Sequence, residues 1–132
     1  MLIMFWKNHW KSILWALIIL FLSTFSGDRI PRVDFINIPN FDKFVHFSLY
    51  FVFSILLISA SNQYKRQRGV TLNSIKWAAL VAIPYGFFIE VLQHFLLTTR
   101  SADFLDIAAN VIGFVMATLS YKLVNQITRG YL

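Results

Sequence analysis

The sequence contains no cysteine, which excludes disulfide frameworks, thiolate metal sites and cysteine nucleophiles. It has little charge, because only 14% of its 132 residues are Asp, Glu, Lys or Arg. It also lacks the HExxH and GxSxG motifs of zinc proteases and serine hydrolases. By contrast, 58% of the residues are hydrophobic and 17% are aromatic, which is more apolar surface than one small water-soluble domain can bury. This composition indicates a single membrane domain that covers residues 1–132.

Four apolar runs have the length of transmembrane helices, for which about 20 residues are needed to cross the bilayer. The runs are continuous rather than alternating, and this favours helices over barrel strands. We therefore predict an all-α, polytopic membrane protein whose four transmembrane helices form an antiparallel bundle, at about residues 10–27, 42–62, 74–97 and 103–124. The first run follows basic residues, as in a signal peptide, but it is as long as a membrane span, so we predict a retained anchor.

Basic residues are distributed unevenly between the predicted loops. With the amino terminus inside, the inner segments carry basic residues and no acid, namely Lys7, Lys11, Lys65, Arg66, Arg68, Lys76, Lys122 and Arg129. This bias follows the positive-inside rule and predicts cytoplasmic amino and carboxyl termini in a multi-pass membrane protein. The net charge of +6 is then explained by topology and by attraction to anionic inner-leaflet lipid, so no nucleic-acid partner is predicted.

Polar side chains recur at helical spacing near the outer ends of the last three apolar runs. They are Asp42, Lys43, His46 and Tyr50, then Glu90 and Gln93, then Asp103, Asp106 and Asn110. Intervals of three and four residues place each group on one helix face. An ionised side chain that faces hydrocarbon costs at least about 2.5–3.5 kcal/mol. We therefore predict that the three faces meet around a polar pocket open to the outer side, with Arg100 on the adjoining turn.

Several chemical roles are open for these residues. Glu90 and His46 are the candidate catalytic residues, either of them as a general acid or base, although Glu90 could simply pair with Lys43 or Arg100 and lock the helices together. Lys43 and Arg100 could clamp a phosphate, with Arg100 binding in bidentate fashion.

A divalent metal is a further alternative, with Asp103 and Asp106 joined by Glu90 and His46 as ligands. Capping of the fourth helix by Ser101 or Asp103 explains the acids there more simply. We accordingly predict no metal ligands and no cofactor.

Two stretches together resemble the VanZ-like membrane proteins, a family named for a protein associated with teicoplanin resistance. They are "DKFVHFSLY" and "EVLQHFLLTTRSADFLDIAANVIG", which match the pattern D-K-x-x-H-x-x-x-Y and E-x-x-Q…R…D-x-x-D-x-x-x-N-x-x-G. The resemblance spans about residues 39–117, and the chain departs from it at Thr98 and Thr99, where family members often carry Pro or Gly. It implies a small integral membrane protein of the cell envelope and no settled reaction.

The leading functional hypothesis is an outward-facing site for the headgroup of an anionic lipid or cell-wall precursor, with a link to glycopeptide resistance. The predicted substrate-binding residues are Lys43, Arg100, Gln93, Asp103, Asp106, Asn110, Tyr50 and Asp42. One alternative is an intramembrane enzyme that acts on a lipid-linked substrate, and another is a polar cluster that only joins helices. The predicted partners are membrane lipids or a lipid-linked precursor. A single chain is not expected to form a transport pathway, because its inner half shows no matching polar group and four helices rarely enclose such a pathway. A homo-oligomer could supply the missing walls and stays open.

Overall fold

The fold consists of four α-helices. The computed structural model describes residues 2–24, 41–64, 70–96, 103–128 and 132. Within these ranges the helices are α1 (Leu2–Thr24), α2 (Phe41–Tyr64), α3 (Leu72–Leu96) and α4 (Phe104–Ile127), and there is no strand. The predicted all-α class is confirmed. The predicted antiparallel arrangement and the cytoplasmic position of both termini stay predictions.

Helix α1 differs most from its prediction. It begins at Leu2 rather than near residue 10, because its first turns contain no Gly or Pro to interrupt the helical hydrogen bonds. Helices α2, α3 and α4 are long and apolar enough to cross a membrane, and α1 is not among them. The described part of α1 after Lys11, residues 12–24, is shorter than the roughly 20 residues of a span. Three of the four predicted spans are thus confirmed as helices that are long and apolar enough to cross a membrane. The crossing by α1 stays a prediction.

Helix α2 lies at the centre, because it is the main packing partner of each of the other three helices. It approaches α4 closely at Gly113, where an added Cβ would lie 2.5 Å from the carbonyl oxygen of Phe47 and 3.0 Å from the nitrogen of Phe51. Ala117, one turn further along α4, is fully buried. The small residues at 113 and 117 therefore allow α4 to pack closely against α2.

Hydrogen bonds from half-buried side chains hold α1 against α2 and α3. The indole Nε1 of Trp15 donates to the carbonyl oxygen of Leu49 at 3.0 Å, and the hydroxyl of Tyr85 donates to that of Ala16 at 2.6 Å. Both acceptors are backbone carbonyls within helices, so these bonds fix the height of α1 along its neighbours.

Helix α3 starts at a reciprocal cap and continues past a proline. The backbone N–H of Ser74 donates to Thr71 Oγ1, and that of Thr71 donates to Ser74 Oγ, which satisfies two otherwise unpaired donors. Helix α3 accordingly begins at Leu72, close to the predicted start at about residue 74. The helix runs through Pro84 without ending.

Large apolar side chains cover the outside of the described helices. Among the exposed residues are Phe44, Phe87, Phe95, Phe104 and Leu119. A water-soluble monomer rarely exposes so much contiguous apolar surface, whereas a lipid-facing surface requires it.

Candidate functional site

The outermost layer of the site is an ion-pair cluster around Lys43. Its Nζ lies 2.9 Å from Asp103 Oδ2, 3.1 Å from Asp42 Oδ2 and 3.4 Å from Asp106 Oδ1. The Lys43 side chain is 21% exposed. One lysine from α2 thus joins its own helix end to the start of α4, and its charge is shared by three carboxylates.

Asp103 is also the N-cap of α4, as one of the two sequence interpretations has it. Its Oδ1 accepts a hydrogen bond from the backbone N–H of Leu105 at 2.9 Å. The hydrogen bond from Lys43 lowers the pKa of the Asp103 carboxyl below its ordinary value, and the bond from Leu105 acts in the same direction.

The middle layer places one buried ionisable side chain from each of three helices together: His46, Glu90 and Asp106. His46 Nδ1 lies 3.6 Å from Glu90 Oε1, and His46 Nε2 lies 3.8 Å from Asp106 Oδ2. The three side chains are 7%, 3% and 7% exposed, in that order. A closer partner of His46 is Asn110, whose Oδ1 is 3.2 Å from Nδ1. This is the predicted meeting of the polar faces of α2, α3 and α4.

The innermost layer lies one helical turn further along and contains Tyr50, Gly86 and Asn110. Gly86 keeps the helices close, because an added Cβ would lie 3.2 Å from both Asn110 Nδ2 and Tyr50 Cε1. Tyr50 and Asn110 are 1% and 4% exposed. The Tyr50 hydroxyl and Asn110 Nδ2 have no hydrogen-bond partner within the described ranges.

A cavity of about 320 Å³ adjoins this innermost layer, and Tyr50 and Asn110 form part of its wall. The rest of the wall is apolar and includes Pro84 and Phe87 of α3 and Val111 of α4. This cavity is thus apolar, and the polar pocket open to the outer side stays a prediction. The charged side chains of the outer layers pair with one another, and the cavity lies deeper, beside Pro84.

One predicted site residue lies apart from these layers, and another is not described by the structure. Gln93 is buried against α1, where its Nε2 donates to the carbonyl oxygen of Ser23 at 3.1 Å. Arg100 lies outside the described residues. His94, which the sequence analysis leaves out of the site, is exposed on the outside of α3.

The other half of the bundle also contains buried polar groups, which were not predicted from the sequence. Asn62 Nδ2 donates to the Tyr121 hydroxyl at 3.3 Å, and both residues are buried. His9 is buried as well. The signal available was the position of Asn62 and Tyr121 inside apolar runs, where a polar group needs a partner.

Three apolar helices of spanning length that surround a buried charged cluster define a helical membrane protein. The chain belongs to the VanZ/LLP1 family, whose family model matches residues 1–125. No curated protein and no solved structure matches the chain. The family match confirms the resemblance to VanZ-like proteins that the two sequence stretches indicate.

Proposed function

We propose that this VanZ-family protein binds the headgroup of an anionic lipid or of a lipid-linked cell-wall precursor at the outer face of the bacterial inner membrane. In this proposal all four helices cross the bilayer as an antiparallel bundle, and both termini are cytoplasmic. The observation that carries it is the position of Asn110, which belongs to the polar cluster and to the apolar cavity at once. Its Oδ1 contacts His46, its side chain lines the cavity, and its buried Nδ2 has no partner among the described residues.

A lipid has the chemistry that this junction requires. Its hydrocarbon portion suits the apolar wall between α3 and α4, and its oxygen atoms suit the two donors on Tyr50 and Asn110. A buried donor without an acceptor costs about 1–3 kcal/mol. An acceptor oxygen at this position would remove that cost for two groups together, whereas a purely apolar ligand would remove neither.

The cations that engage an anion must be released from the carboxylates or supplied by the adjoining turn. Lys43 already pairs with three acids, of which Asp42 and Asp103 are the more exposed at 37% and 40%. A phosphate that enters from the outer side displaces these two from Lys43 at the smallest desolvation cost. Arg100 precedes Asp103 by three residues, and it is the second cation of the proposed site.

Native mass spectrometry of the gently purified protein tests this proposal. The wild type is compared with Arg100→Ala and Glu90→Gln, and Arg129→Ala serves as a control that removes the same charge far from Arg100 in sequence. We expect the wild type and Arg129→Ala to retain one phosphate-bearing envelope lipid, and the two site variants to lose it while they stay folded. If all four proteins carry the same mixture of lipids, the cluster only joins helices and the proposal fails.

A second candidate function, intramembrane acid–base catalysis on a lipid-linked substrate, is favoured by the position of His46. Its ring lies between the carboxylates of Glu90 and Asp106, at 3.6 Å and 3.8 Å. A pH–rate profile with a carboxylate or histidine limb that Glu90→Gln abolishes would support it. Retention of the lipid without turnover at any pH would leave binding as the function.

The proposed link to glycopeptides follows from the family resemblance and has its own test. Expression of the wild type in a susceptible host should raise the minimal inhibitory concentration of teicoplanin, and expression of Arg100→Ala should not. An unchanged inhibitory concentration with the wild type would remove resistance from the proposal and leave lipid binding to be judged by mass spectrometry.

A further inference from the structure

The middle layer, which consists of His46, Glu90 and Asp106, has the composition of a metal site. One ligand atom from each residue lies within 4.8 Å of the others. The three side chains come from three different helices, and all are more than nine-tenths buried. Two carboxylates in so dry a place repel each other unless a positive charge lies between them.

The hydrogen bond to Asn110 determines which nitrogen of His46 could bind a metal. With Oδ1 of Asn110 as the acceptor of this contact, we assign the proton to Nδ1 of His46, 3.2 Å away. In the neutral ring Nε2 then has a lone pair, and it faces Asp106 Oδ2 at 3.8 Å. Metal–ligand bonds of about 2.0–2.2 Å to each atom span this separation. Orientation of a ligating imidazole by a hydrogen bond at its other nitrogen is the usual second-shell arrangement.

The lysine cluster leaves the relevant Asp106 oxygen available. Lys43 Nζ contacts Oδ1 of Asp106 at 3.4 Å, and it is closer to Asp103 and Asp42. The second oxygen, Oδ2, is the one that faces His46. Lys43 therefore balances mainly the carboxylate charge of the outermost layer. The middle layer contains Glu90 and Oδ2 of Asp106.

An independent observation also points to a ligand beside these three residues. The Tyr50 hydroxyl and Asn110 Nδ2 are buried donors that have no acceptor among the described residues. They lie one turn deeper than His46 and Asp106, on the same helix faces. Asn110 touches His46 directly, so its free N–H group lies next to the proposed site. A water or phosphate oxygen bound to the metal would supply the acceptor that these donors need.

We propose that His46, Glu90 and Asp106 bind one divalent metal ion of the zinc class. A nitrogen ligand with two carboxylates suits Zn²⁺ or Mn²⁺ better than Mg²⁺ or Ca²⁺, which prefer all-oxygen sites. Three protein ligands leave a coordination position open. The site replaces the prediction of no metal ligands. The ion's role, to draw a headgroup phosphate to an acid-rich cluster, rests on the proposed function, whereas the binding of the ion does not.

Metal binding to the purified protein tests the inference without any lipid. The protein is stripped with a chelator, and Zn²⁺ is added in an isothermal titration while bound metal is counted by mass spectrometry. We expect one ion per chain in the wild type. Glu90→Gln and Asp106→Asn should lose stoichiometric binding, and Asn110→Ala should weaken it about 10- to 100-fold through the orientation of His46.

Asp42→Asn is the matched control, because Asp42 belongs with Asp103 and Asp106 to a second, more exposed group that could also hold an ion. We expect Asp42→Asn to keep the ion. Loss of the ion in Asp42→Asn with retention in Glu90→Gln would move it to the outer group and overturn the assignment, as would a wild type that binds no Zn²⁺ or Mn²⁺. Size-exclusion chromatography and circular dichroism confirm that each variant is folded before its binding is compared.

The result is separable from the lipid experiment. If the wild type binds one ion that depends on Glu90 but retains no specific lipid, the metal site stands and the headgroup proposal fails. If a specific lipid is retained and no ion binds at any metal concentration below that which precipitates the protein, the headgroup proposal stands and the metal site is overturned.

Discussion

Asp103 and Lys43 connect the beginning of α4 to the beginning of α2. Asp103 Oδ2 accepts a hydrogen bond from Lys43 Nζ at 2.9 Å, while Oδ1 accepts one from the N–H of Leu105 and caps α4. Both bonds favour the ionised carboxylate, and the pKa of Asp103 is consequently below its ordinary value of 3.8.

This relationship predicts a stability difference that depends on pH. A carboxyl whose pKa is lowered by folding stabilises the protein above its unfolded pKa, and the contribution is lost as pH falls through the lowered, folded value. We expect Asp103→Asn, which can still cap the helix, to melt below the wild type at neutral pH and to converge with it in acid. The melting temperature in detergent from about pH 6 to about pH 2 measures this. A constant gap between the two proteins would show that the charge of Asp103 does not matter.

Gly113 should be the least tolerant small residue of the bundle. Gly113→Ala places a methyl group 2.5 Å from the backbone oxygen of Phe47, which cannot move without shifting α2. We expect a loss of about 1–3 kcal/mol in unfolding free energy. Gly86→Ala is the control, because its methyl group would meet side-chain atoms at 3.2 Å that can adjust. Equal stability of the two variants in a denaturation series would contradict the packing described for Gly113.

Tyr50→Phe should separate binding from stability. The Tyr50 hydroxyl is buried without a described acceptor, so its removal should leave the melting temperature unchanged or raise it. If the hydroxyl donates to a bound lipid, the same change should reduce lipid occupancy in native mass spectra. A variant that is clearly less stable in delipidated detergent would show that the hydroxyl has a partner within the protein.

The attachment of α1 should weaken when either of two hydrogen bonds to it is removed. Trp15→Phe and Tyr85→Phe remove the donors to Leu49 and Ala16 and retain most of the aromatic surface. Hydrogen bonds between helices within a membrane are worth about 0.6 kcal/mol on average, so each variant should lose about that amount. Proteolysis of α1 in the folded protein should become faster in both variants. Rates identical to the wild type would place the attachment of α1 elsewhere.

Much of the fold and the centre of the site were predictable because hydrocarbon penalises polar groups so strongly. The three- and four-residue spacing of His46, Asp106 and Asn110 leaves one helix face on which charge can be buried, and the structure brings these faces together. The same reasoning could not separate Glu90 from Gln93, since both lie on one face of α3. Only the packing of α1 decides that Gln93 donates to Ser23 instead.

Other features could not be predicted from the spacing of residues along the sequence. The start of α1 was missed because basic and aromatic residues near an apolar run suggest an interface, whereas nothing in them stops a helix. The apolar lining of the cavity and the orphaned donors of Tyr50 and Asn110 arise from how three helices fit together. Neither could be predicted from the composition of one segment.

The contacts between α2 and α4 also constrain how the protein is made. Lys43 pairs with Asp103 and His46 with Asn110, so residues about 60 positions apart complete each other. A ribosome delivers α2 to the membrane before α4 has been synthesised. Lys43 and His46 of α2 therefore reach the bilayer before Asp103 and Asn110 have been made, and translation of α4 is the step that completes the site.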